Sequence, residues 1–165
     1  MRQNQYVQLA TRSLVSLCEL TANLEGFQPQ PARGDFVAEA LREGHQLWER
    51  LAWSDGILND HECAVLDAIM QLANERGHLA LSPDSFEEKT EERRLPEFLR
   101  VASLSQDHGP RLAGRMINQL ETFGYGVLAA DRQIHEAELA NLKEYIAWLR
   151  KEVEAVRLAS LLTVA

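Results

Sequence analysis

The sequence predicts an all-α protein, a helical bundle of about six to seven helices with an internally duplicated helix–turn–helix. Three observations carry that expectation. Apolar residues recur at three- and four-residue spacing along almost every segment. No segment alternates apolar and polar residues as a half-exposed strand would. Two stretches of the chain align with each other at the offset of 76 residues that relates Glu62 to Glu138.

A first helix is expected over residues 5–25, with Val7, Ala10, Leu14, Leu17, Cys18 and Leu24 on one face. Gly26, Pro29 and Pro31 end it and make a linker. Asp35 caps a second helix, whose stripe is Phe36, Val37, Ala40, Leu41, Leu47, Trp48, Leu51 and Ala52. It stops at Ser54, Asp55 and Gly56, where glycine supplies the backbone freedom of a tight turn. Asn59, Asp60, His61 and Glu62 read as a capping box opening a third helix. That helix turns Val65, Leu66, Ile69, Met70 and Ala73 inward and ends at Gly77.

Residues 78–95 form a charged insertion, in which 87–94 are charged at every position but Thr90. The bland reading is a solvated helix or linker, and the functional one a docking surface or adaptable lid. A short helix follows over 96–105 with Phe98, Leu99 and Ala102 inward. Pro110 suits the first turn of a fifth helix, 110–130, whose stripe is Leu112, Met116, Ile117, Leu120, Phe123, Val127 and Leu128. The last helix starts near Glu136 and runs to Val156 or beyond, with Leu139, Leu142, Ile146, Leu149 and Val153 inward. The apolar residues from 157 onward are expected either to dock on this domain or to lead into a longer multidomain chain. The whole reads as a single domain, 1–165, with its core over about 35–150.

Composition narrows the function. Of the 165 residues 45% are hydrophobic and 25% charged, a globular balance, and the formal net charge is −8. A negative field repels phosphate backbones, so the expected partners are proteins and not nucleic acid. No apolar run spans a bilayer and no leader pattern stands out, which points to a cytoplasmic protein without membrane insertion. Cys18 and Cys63, without zinc-type spacing, read as buried, reduced thiols.

Both copies of the repeat read Asp-x-x-(Leu/Ile)-x-x-x-Glu: Asp55, Leu58 and Glu62, then Asp131, Ile134 and Glu138. Two chemistries fit. The carboxylates can cap helix N-termini and complement the helix dipole. Alternatively, if the two corners meet, Asp55, Glu62, Asp131 and Glu138 offer hard oxygen ligands to a divalent cation, Ca or Mg. Asp60, His61, His135 and Glu136 lie near enough in sequence to assist. An EF-hand is excluded, because its first ligand positions would fall on Leu51 and Trp53, and on Val127 and Ala129.

At these residues the chain resembles the TerB family of bacterial tellurite-resistance proteins, whose hallmark is an Ala-Asp-Gly-x-Ile-x-x-x-Glu corner repeated twice. Residues 53–62 carry the first copy, and residues 129–138 the second with Arg132 in place of the glycine. The likeness covers roughly 35–149. It implies a duplicated all-helical fold, acidic residues gathered on one surface with divalent-metal binding, and work in stress-response complexes, some associated peripherally with membranes. Arg132 and the charged insertion depart from the pattern.

Little else bears chemistry. The histidines, 45, 61, 78, 108 and 135, show no metalloprotease spacing, and no nucleophile elbow or phosphate loop occurs. Trp48, Trp53 and Trp148 fall on or near apolar faces, as core or as partner anchors. The expectation is therefore a non-catalytic interaction or adaptor module, with a cation-binding or sensing domain as the alternative.

Overall fold

A computed structural model of the chain describes residues 5–25, 36–52, 60–75, 94–104, 109–130 and 136–163. They form six helices: α1 (Gln5–Glu25), α2 (Phe36–Ala52), α3 (Asp60–Glu75), α4 (Glu97–Leu104), α5 (Gly109–Ala130) and α6 (Glu136–Thr163). Among the described residues there is no strand, and the molecule is an all-α bundle. The linker after α1, both acidic corners and residues 78–93 of the charged insertion lie outside the described residues. No helix among those described is long and apolar enough to cross a membrane.

Helix α1 is the hub. It packs most extensively on α5 and also touches α2, α3 and α4. Its predicted face, Val7, Ala10, Leu14, Leu17, Cys18 and Leu24, is buried throughout. Gly126 allows the α1–α5 approach: a Cβ built there would lie 2.9 Å from the Cβ and backbone nitrogen of Ala10 and from the Tyr6 carbonyl oxygen. Buried Thr21 returns its hydroxyl to the Cys18 carbonyl at 2.9 Å, so it enters the core already paired.

Helices α2 and α5 bury their whole predicted stripes against this hub and against each other. Helix α3 is narrower than expected. Val65, Ile69 and Ala73 are core, but Leu66 and Met70 are only half-buried. Its buried residues, Glu62, Val65, Ile69 and Ala73, follow one another at three and four residues. Such a single line is what a helix shows when neighbours cover one seam of it. In α6, Leu139 is likewise half-buried, while Tyr145 joins the core beside Leu142, Ile146, Leu149 and Val153.

The end of the chain corrects one of two expectations. Helix α6 continues to Thr163 without docking its apolar residues: Leu158, Leu161 and Leu162 are 49%, 62% and 80% exposed. Both cysteines are free thiols; Cys18 is buried, but Cys63 is only half-buried.

Candidate functional site

Of the four residues the sequence singles out, Asp55 and Asp131 lie outside the described residues. Glu62 and Glu138 are the third residues of α3 and α6, and both are withdrawn from solvent, at 5% and 7% exposure. Carboxylates at that helical position face free backbone N–H groups and the positive end of the helix dipole. Helix α3 packs on α1, α2 and α5, and α6 packs on α5, α4 and α2, so α2 and α5 are neighbours common to both. Among the described residues, no three His, Cys, Asp or Glu side chains are grouped as metal ligands would be.

The two helix starts are packed by opposite means. At the first, the Trp48 indole of α2 donates from Nε1 to the Glu62 backbone carbonyl at 2.8 Å, which ties α2 to the opening turn of α3. His45 lies against the same indole, with ring centroids 5.7 Å apart, and burial pushes its pKa down from the ordinary value. The same offset places Gly124 where the first copy has Trp48. A Cβ at Gly124 would stand 2.5 Å from Leu142 Cδ1, so the missing side chain lets Leu142 into the core. The first copy fills its space with an indole from α2 and the second with a leucine from α6.

A second polar group escaped the sequence reading. Along one flank of α2 stand Glu39, Glu43 and Arg50, at i, i+4 and i+11. Glu39 reaches α4. Pro96 opens that helix, and its carbonyl accepts the N–H groups of Leu99 and Arg100, both at 3.1 Å. Proline carries no side-chain acceptor for the next free donors, and Glu39 supplies one, accepting the Phe98 N–H at 2.6 Å. Burial raises the Glu39 pKa, an effect the backbone N–H groups of Phe98 and Glu97 oppose.

Glu43 reaches α6. The Tyr145 hydroxyl donates to its Oε1. Burial raises the Glu43 pKa, opposed first by this hydrogen bond and then by Arg50. The Arg50 guanidinium sits 5.7 Å from the centre of the Tyr145 ring, and Trp148 stacks on the ring's neighbourhood with centroids 6.5 Å apart. A signal for this cluster was present. Glu43 falls three residues after Ala40 and four before Leu47, so it borders the apolar stripe rather than the solvent face.

Compared with known proteins, the chain matches no family model, no curated protein and no solved structure, and its function is read from this geometry.

Proposed function

We propose that the chain is a non-catalytic interaction module of the TerB-like kind, cytoplasmic, which presents the last turns of α6 to a protein partner. One observation carries the reading. Leu158, Leu161 and Leu162 make an i, i+3, i+4 ridge that α6 holds in solvent. Fully exposing a leucine forgoes about 1.5–3 kcal/mol of burial. Ridges with this spacing are the anchors by which an amphipathic helix enters a groove on a partner. The duplication belongs to the same proposal. Shifted by the offset, every buried position of α2 except Ala38 falls on a buried position of α5, which supports two copies of one helix pair.

Affinity capture with the intact chain and with Leu161→Asp/Leu162→Asp tests it. The double variant is expected to keep the wild-type melting temperature and lose the partner. If it retains the same partner with the same affinity, the ridge is not the docking element.

A second reading is favoured by one further observation: Glu62 and Glu138, at matching positions of α3 and α6, are both buried. With Asp55 and Asp131 they would complete a divalent-cation site. Calorimetric titration with calcium and with magnesium is expected to give heat that Glu62→Gln and Glu138→Gln each abolish. No heat and no metal-dependent rise in melting temperature would eliminate a cation.

A further inference from the structure

We propose that the leucine ridge at the end of α6 pairs with the same ridge of a second copy of this chain, the two helix ends lying antiparallel about a two-fold axis level with residue 160. The proposal rests on the docking reading above and names its partner.

Helix α6 outruns the helix it lies on. Leu142 fills the space left at Gly124, and Arg150 donates to the Asn118 side-chain oxygen at 3.2 Å. These contacts set α5 and α6 antiparallel in one register. Carried on, that register puts Leu158 level with Gly109, where α5 begins. Helix α6 has 28 residues against 22 in α5, so its end extends about 9 Å past its neighbour. Val153 is the last core residue of α6, and beyond it Ala155, Leu158, Ala159, Leu161 and Leu162 are all exposed.

This apolar face is complementary to itself. On a helix Leu158 and Leu162 point the same way, with Leu161 on one flank and Ala159 on the other. A second copy laid antiparallel can set Leu158 of each chain level with Leu162 of the other. The two-fold axis then forms both leucine pairs at once. In the same register Leu161 meets its own counterpart on one flank of the axis. The small Ala159 meets its counterpart on the other flank, which lets the helices close.

Charge favours a like partner over an unlike one. Between Ala155 and Leu162 the only ionisable side chain is Arg157, and it is already paired with Glu154 at 2.9 Å. The ridge therefore offers no charge for an unlike surface to match. The chain as a whole, at a formal net −8, repels its own copy. The overhang answers that repulsion. With only the helix ends overlapping, an antiparallel pair keeps the two acidic bodies at opposite ends of the contact, where a parallel pair would set them side by side. Five residues a side is far below the roughly 20–30 of a stable interface. The pairing is accordingly weak, with a dissociation constant on the order of 100 μM.

Sedimentation of the intact chain from about 10 μM to about 1 mM, a range that brackets this constant, tests the pairing. The wild type is expected to pass from monomer to dimer, and Leu161→Asp/Leu162→Asp to stay monomeric throughout with unchanged helix content. Direction is read by oxidation in a Cys63→Ala background, which removes the half-buried thiol. A mixture of Leu158→Cys and Leu162→Cys chains should cross-link severalfold faster than either variant alone. A wild type that is monomeric at the highest concentration, or a dimer that survives the double variant, overturns the proposal. Cross-linking that prefers like with like overturns the antiparallel arrangement. The docking reading fails separately, only if a captured foreign partner is also retained by the double variant.

Discussion

Two glycines of α5 provide a controlled test of how the bundle is held. At Gly126 an added methyl would meet Ala10 Cβ, Ala10 N and Tyr6 O, each at 2.9 Å. Two of these atoms are backbone, so no side-chain rotation relieves them, and α1 must move away from α5. At Gly114 an added methyl meets nothing within 4 Å. Either substitution gains about 1 kcal/mol of helix propensity. Gly114→Ala should keep that gain. Gly126→Ala should also bear an overpacking cost of about 3 kcal/mol, the upper end for a packed interior, and so lose about 2 kcal/mol net. The two variants should differ by about 3 kcal/mol, or about 1 M in urea midpoint for a domain of this size. A Gly126→Ala midpoint at or above wild type, with unchanged slope, would refute the close α1–α5 approach.

Other perturbations probe single contacts. Trp48→Phe keeps most of the buried ring and removes the donor to the Glu62 carbonyl; a loss of about 1–3 kcal/mol is expected in chemical denaturation. Glu39→Ala should fray α4 and cost about 0.5–2 kcal/mol, seen as lost exchange protection at Phe98 and Leu99, whereas Glu39→Gln retains an acceptor and should cost less. Phe98→Ala and Phe123→Ala remove fully buried rings and should each cost about 3–5 kcal/mol in melting experiments. Arg157→Ala breaks only an exposed i,i+3 pair with Glu154 and should move stability by no more than about 0.5 kcal/mol.

Helix positions were legible in the sequence because amphipathic period and punctuation agree. Asp60 and Glu136 begin α3 and α6 where the repeat puts them, and α2 ends at Ala52, just before the Ser54-Asp55-Gly56 stop. Depth was less legible. Leu66 and Met70 carry the right period, but period cannot say how many neighbours surround a helix, and α3 has them along one line only. The exposed leucines of α6 misled for a related reason: hydrophobicity predicts a wish to be covered, not the presence of a cover. Glu39, Glu43 and Tyr145 were missed because their significance is tertiary. Each pairs with a residue on another helix, 59 positions away for Glu39 and 102 for Glu43.

The central place of α1 bears on how this chain reaches its native state. Its main partner is α5, and all of α2, α3 and α4 lie between them in sequence. A ribosome therefore delivers the hub long before the surface that shelters it. Until α5 emerges, Leu14, Leu17 and their neighbours can be covered only in part, by α2, α3 and α4. Closing so long a loop is entropically slow. Nascent chains arrested before residue 109 should accordingly bind holdase chaperones, and those arrested well past residue 130 should not.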